Sequence, residues 1–528
     1  MKNRSIAALA MLSSALVTGG WLMERGSTRP VRDLASRAHL LDEVLEHIRR
    51  EYVDTLADST LYRHAIDGAL RELRDPHTVF LDPRRLARLD ESTSGHYAGV
   101  GIQMDVRDSG VTVIGTIPGS PAEQAGLTSG DRIVMIEGKP THGFTTDEVM
   151  KSIRGAAGTP VRILVERPGI TERMPFTLVR RTIQVNPVQH ALIVGDGVGY
   201  VNLTVFSAAA AADLTRAIDS LRGAGARSLV LDLRGDPGGL LGQGIEVADL
   251  FLDAGQSIVS TRGRGADETH SFADQSAQRW ANMPMVVLTD SSSASASEIV
   301  AGALQDHDRA LIVGTTTYGK GSAQRVFRIG KGGLKLTTAL WYTPSGRSIN
   351  RPRAPVTDDG ENAPQGRDSV PPRPKFKTDA GRTVLGGGGI VPDVEVANRV
   401  APAADKALQH ALGTKAPRFR DAIVEYALSL KASRAVRDPN FSVTPAMRDE
   451  LYRRMQARGI TVRRALYDSA GSLVSRALSS QVARYVFGSQ AEFARGLRED
   501  PALTRAIELL HGRRTSRDLL GLASPSPR

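Results

Sequence analysis

Two short stretches hold the residues best suited to covalent chemistry. One is Ser293-Ala-Ser-Ala-Ser-Glu298; the other is Tyr318-Gly-Lys-Gly321, a lone lysine between glycines. A serine hydroxyl is a poor nucleophile until a neighbour takes its proton. A lysine can do that only as the neutral amine, which requires a pKa brought down, usually by burial. Small residues flank both groups, so a peptide backbone could come close. Ser295 to Glu298 also reads as a Ser-x-x-Glu capping box opening an apolar helix. The two roles are compatible, because a helix N-terminus offers backbone N–H groups and a positive dipole end to a developing oxyanion. The Ala296 N–H is one candidate donor. Those of Gly238 and Gly239, following the apolar run Ser228–Leu233, are the others. Lys320 and Gln324 stand four apart in an expected strand and so share a face. Gln324 could aim the amine without adding a charge that would favour the ammonium form.

Other chemistries find little support. Cysteine is absent, which excludes disulfides, thiol nucleophiles and thiolate metal sites. No His-x-x-x-His pair or Glu-rich cluster suggests a metal, and no phosphate-cradling glycine loop suggests a nucleotide, so no metal and no cofactor is expected. The net charge of +11 is uneven. Residues 401–528 hold 22 Lys/Arg against 12 Asp/Glu, scattered among apolar residues at helical spacing. That pattern reads as a solvated helical face, and nucleic acid is not an expected partner.

Further stretches follow in order: Asp75-Pro-His-Thr78, Asp232-Leu-Arg-Gly-Asp-Pro-Gly-Gly239, Leu336-Thr-Thr-Ala339, Tyr342-Thr-Pro-Ser-Gly-Arg347 and Gly388-Gly-Ile-Val-Pro-Asp393. Together with Ser293–Asp306 and Tyr318–Gln324 they resemble the motifs of the carboxyl-terminal processing peptidases, or tail-specific proteases, over roughly residues 37–400. Those are Ser–Lys endopeptidases that carry a PDZ domain. The resemblance implies Ser295 as nucleophile, Lys320 as base and Gln324 as its support. It implies substrates with accessible C-termini, and an adaptor protein and a homo-oligomer as further partners. One position departs: Asp236 stands where that family usually has Asn. The rival readings are a PDZ protease with a Ser–His–Asp triad and a non-catalytic PDZ scaffold or chaperone of the cell envelope. The first lacks a Gly-x-Ser-Gly-Gly loop; the second is at odds with an intact Ser, Lys and Gln.

The elements that must position these residues follow from periodicity. Lys2 and Arg4 precede an apolar run over residues 6–23, so residues 1–26 read as a signal peptide or membrane anchor. Export to the periplasm or cell envelope is expected, with the protein soluble or tethered. Residues 27–95 read as helical, from Leu40, Leu41, Val44, Leu45 and Ile48. Residues 96–182 alternate glycines with β-branched runs in an order that resembles a PDZ domain. There Gly99-Val100-Gly101-Ile102 would hold a peptide's terminal carboxylate, and the strand after it would take the peptide by β-augmentation. Residues 183–400 alternate apolar strands with helices, including Ser228–Leu233, Met285–Leu288 and Ala310–Val313, and residues 351–380 read as a mobile surface loop. Residues 401–528 form a basic helical region. The strand–helix alternation predicts a multidomain α/β architecture, and the resemblance implies a Ser–Lys protease core of the ClpP/crotonase-like kind, with a PDZ domain and helical N- and C-terminal regions.

Overall fold

Strands rich in Val, Leu, Ile and Met without polar alternation are stable only where both sheet faces are covered. Four such runs lie side by side and parallel: Val198–Leu203, Ser228–Asp232, Met285–Thr289 and Leu311–Gly314. Val188–Val194 extends the sheet antiparallel at one edge, and Val394–Glu395 adds a parallel strand at the other. Helices Ala210–Gly223, Leu241–Asp249 and Ala296–Asp306 cover one face around Leu229, Leu231, Val287 and Ile312. The other face, with Val230, Val286, Leu288 and Val313, is covered by Leu503, Ala506, Leu509 and Leu510 of helix Pro501–Leu510. Beyond the boundary expected at residue 401 the chain has a core of its own, from Leu408 to Tyr485, but its last helices belong to the protease sheet. The end of the basic region completes the sheet, because an apolar face left bare would forgo about 1.5–3 kcal/mol per large side chain.

The computed structural model describes residues 29–107, 110–168, 170–351, 373–397 and 401–522. The expected signal or anchor segment, most of the Pro-, Asp- and Arg-rich stretch and the tail 524–528 lie outside them. Among the described residues no helix is long and apolar enough to cross a membrane. The chain folds as two units, one holding residues up to Arg84 with Gln324–Thr337, the other Arg85–Ala323 with residues from Thr338 onward.

In the first unit, helices Arg29–Glu51 and Asp58–Glu72 precede strand Val79–Leu81, which pairs antiparallel with Gly333–Lys335. Leu45 is buried as its spacing predicts, whereas Leu40 and Leu41 remain 63% and 51% exposed.

In the second unit, six strands from Ile102–Arg107 to Met174–Val179 form the PDZ sheet, with helix Thr146–Ile153 packed on it. Thr145 and Glu148 close a capping box at that helix. Residues 351–380 are not all loop. Lys375–Lys377 and Thr383–Leu385 pair as a hairpin with Phe376 opposite Val384, an apolar cross-strand pair within a polar run.

Candidate active site

Ligands of open α/β sheets gather at the carboxyl ends of parallel strands. Two loops leave the sheet there. Asp232 ends one strand and leads to Gly235, Asp236, Gly238 and Gly239; Thr289 ends the next and leads to Ser295, from which helix Ala296–Asp306 starts. Ser295 has φ 58°, ψ −112°, a left-handed-side conformation costly for a residue with a side chain. All eleven residues of the helix behind it are buried. Its far end is fastened by Arg347, which donates to Asp306 at 2.7 Å and to Gln305 at 2.8 Å. The Tyr342–Arg347 motif thus fixes the helix at the end opposite Ser295.

Glu298 holds the site together. It is fully buried, and its two oxygens accept four hydrogen bonds. Oε1 takes the Thr317 hydroxyl at 2.6 Å and the Gly319 N–H at 2.7 Å. Oε2 takes the Ser295 N–H at 2.8 Å and the Lys320 N–H at 2.9 Å. One oxygen therefore bridges the backbone nitrogens of Ser295 and Lys320. Burial pushes the Glu298 carboxyl upward, and the four donors oppose that push. Sequence reasoning saw Glu298 only as a capping partner. A single carboxylate in Ile-Val-Ala-Gly-Ala surroundings was a signal that it must be paired elsewhere.

The Lys320 loop is held from its other side as well. Thr317 exchanges main-chain and side-chain bonds with Ile390, Tyr318 N–H reaches Ser293 O at 3.0 Å, and Gly321 N–H reaches Asn350 Oδ1 at 3.2 Å. Gly389 lies so close that a Cβ on it would sit 2.4 Å from Thr317 O, which explains the glycines of the Gly388–Asp393 motif. Lys320 itself precedes the strand, which begins at Ser322. The expected shared strand face with Gln324 therefore does not apply, because Glu298 takes the Lys320 N–H and no ladder forms there. In the first unit Gln324 Nε2 donates to Thr337 Oγ1 at 3.2 Å; Thr337 N–H donates to Thr78 Oγ1, which donates to Asp75 at 2.7 Å. The Asp75–Thr78 motif is thus tied to the Gln324 hairpin.

The glycine loop is pressed against the serine. A Cβ on Gly238, which has φ 92°, would lie 2.8 Å from Ser295 Cβ and 2.9 Å from Ala296 N. The Gly238 N–H is already donated to Asp236 Oδ1 at 2.8 Å, so it is not free to receive an oxyanion as the sequence suggests. The carboxylate two residues earlier intercepts it. Gly239 forms a parallel bridge with Phe206, and among the described residues no group accepts its N–H.

In the PDZ sheet, Ile102–Arg107 is an edge strand with one neighbour, Gly110–Thr116. Gly101 has φ 74°, and a Cβ there would lie 2.2 Å from Ser120 Cβ. Its carbonyl accepts the Ile117 N–H at 2.9 Å, and the Val100 carbonyl accepts the Ala122 N–H at 3.0 Å, so the Gly99–Ile102 loop is clamped by its oxygens. Ile102, Val149 and Ile153 share one apolar cluster.

A PDZ-bearing serine peptidase is what these elements compose. The chain matches Peptidase family S41 over residues 197–361 and a PDZ domain over residues 112–167. It is 41% identical over 317 residues to the carboxy-terminal-processing protease of Bartonella bacilliformis, spanning 58% of this chain and 71% of that one. It is 34% identical over 317 residues to the carboxy-terminal processing protease CtpA of Bacillus subtilis, spanning 60% and 67%. Among solved structures, the photosystem II D1 C-terminal processing protease aligns at 29% identity and TM-score 0.36, over 70% of this chain and 90% of that one. The chain belongs to the carboxy-terminal-processing proteases of Peptidase family S41, serine-type endopeptidases with a PDZ domain.

Proposed function

We propose that Ser295 is the nucleophile and Lys320 the general base of this endopeptidase, and that its PDZ domain selects substrates by their C-terminal tails. Neutral Lys320 takes the hydroxyl proton as Ser295 Oγ bonds to the peptide carbonyl carbon. The Ala296 and Gly239 N–H groups receive the oxyanion. Collapse breaks the C–N bond, the leaving amine takes the proton back from Lys320, and water then hydrolyses the acyl-enzyme with the same lysine as base. The observation that carries this reading is the Glu298 oxygen shared by the Ser295 and Lys320 amides. Ser295→Ala and Lys320→Ala should each abolish cleavage of a fluorogenic peptide, and the double variant should be no worse than either, because members of a dyad act as a unit. Gln324→Ala should slow turnover less. Cleavage retained by Lys320→Ala would overturn the assignment.

The proposal extends to export, with the mature protein outside the cytoplasmic membrane, soluble or tethered by residues 6–23; cell fractionation that finds it cytoplasmic with Met1 intact would refute this. Self-association is also part of the reading, since Leu40, Leu41 and Val44 present exposed apolar area. A monomer in sedimentation equilibrium at micromolar concentration would remove it.

A further inference from the structure

Asp236 is fully buried in the loop that faces Ser295. Its carbonyl accepts the Ala294 N–H and the Ser297 hydroxyl, each at 3.0 Å, so it grips the chain on both sides of the serine. Its Oδ1 accepts the Gly238 N–H, while its Oδ2, equally buried, has no hydrogen-bond partner among the described residues. The charged groups on the surrounding elements are committed elsewhere. Arg234, on the same loop, lies between Asp232 and Asp500. Asp290, in the turn before Ser295, accepts from Gly235, Ser292 and Ser293. Glu298, on the helix, is taken by its four donors. An ionised carboxylate with one bare oxygen and no counter-charge is costly in such a place. Burial accordingly pushes the Asp236 carboxyl up to about 8.

We propose that Asp236 is a positioning residue that supports the Ser295 chemistry only as the neutral acid: protonated, it pins the Gly238 peptide without charge; ionised, it sets a negative charge against the loop that receives the oxyanion. This inference rests on the Ser295–Lys320 reading. The two titrations act in opposite directions. Deprotonation of Lys320 raises the rate with pH, whereas deprotonation of Asp236 lowers it above about 8. The rate therefore passes through a maximum, and Asp236 owns the alkaline limb. Stability carries the same signature. The unfolded carboxyl titrates near 3.9, so the raised pKa stabilises the fold fully below that value, and the contribution is lost as pH rises through the folded pKa.

The test compares full-length wild type with Asp236→Asn, measuring kcat/KM on a fluorogenic peptide from pH 6 to 10 and thermal unfolding from pH 5 to 9. One unit above its pKa the acid is about one-tenth protonated, so the wild-type rate at pH 9 should lie about tenfold below the trend set by Lys320. The variant should follow that trend, and its melting temperature should fall less between pH 6 and 9. An alkaline limb unchanged in Asp236→Asn, or melting curves that shift in parallel, would overturn the inference while leaving the dyad standing. Cleavage by Ser295→Ala would instead remove the dyad beneath it. Should Asp236→Asn fail to fold, infrared spectroscopy of the wild type decides: a protonated-carboxyl band that disappears between pH 7 and 9 supports the proposal, and no change over that range refutes it.

Discussion

Glu298 spends both carboxylate oxygens on donors that Ser295, Thr317, Gly319 and Lys320 supply. Glutamine would keep one oxygen but turn an NH2 group toward two of those donors. Each buried hydrogen bond lost this way costs about 1–3 kcal/mol. Glu298→Gln should therefore lose about 2–6 kcal/mol of stability in urea unfolding. It should also lower kcat/KM, since the strained φ of Ser295 and the course of the Lys320 loop share this one tie. Stability and rate equal to wild type would show that the tie is dispensable. The residue types at the site were legible in the sequence because Ser, Lys and Gln sit in distinctive small-residue settings. The tie itself was not, because a Glu three residues after a Ser is explained locally by a cap, and its other donors lie some twenty positions further on.

Among the elements, the Gly99–Ile102 loop and the edge strand after it carry the substrate-selection argument. If the loop's N–H groups take a terminal carboxylate, each charge-assisted bond contributes about 1.5–3 kcal/mol. Amidating the C-terminus of a substrate peptide should then weaken its binding by at least about tenfold. Gly101→Ala should weaken the free acid similarly, because a Cβ 2.2 Å from Ser120 forces the loop to move. Fluorescence anisotropy with acid and amide peptides measures both effects, and equal affinities would leave the PDZ domain a regulatory or structural role. Helix Thr146–Ile153 is fixed locally, by the capping box that Thr145 and Glu148 close at its start and by apolar Val149 and Ile153 a turn apart on its buried face. The strand assigned to Lys320 failed because the loop's backbone groups are consumed by distant side chains, which no local pattern records.

For the whole molecule, the basic C-terminal region is a structural part of the enzyme. Asp500 caps helix Pro501–Leu510 by accepting the Ala502 and Leu503 N–H groups, and it pairs with Arg234 at 2.6 Å beside the glycine loop. Lys431 donates to the Ser129 carbonyl of the PDZ domain. Several of the region's arginines pair with its own acids on exposed helical faces, as in Arg464 with Asp468 and Arg454 with Glu450. Asp500→Ala should cost about 1–3 kcal/mol in thermal unfolding, from the lost cap and a partly buried arginine left with one partner fewer. Deleting residues 489–528 should yield insoluble protein, since it strips Leu503, Ala506, Leu509 and Leu510 from the sheet. A soluble, cooperatively folding truncation would show that the sheet does not need this cover.

What is local or ordered along the chain was legible in the amino acids alone: the helical periodicities, the β-branched strands, the glycine-rich loops and the succession of motifs that marks a PDZ-bearing serine peptidase. Tertiary structure alone decided which groups meet. It put one carboxylate oxygen between Ser295 and Lys320, turned the Gly238 N–H onto Asp236, left that acid's other oxygen bare, and drew residues 501–510 back onto the protease sheet. The physical reason is common to all four. Periodicity and capping act over a turn or two of chain, whereas the pairing of buried polar groups and the covering of a sheet face are settled by which distant segments fill the same space.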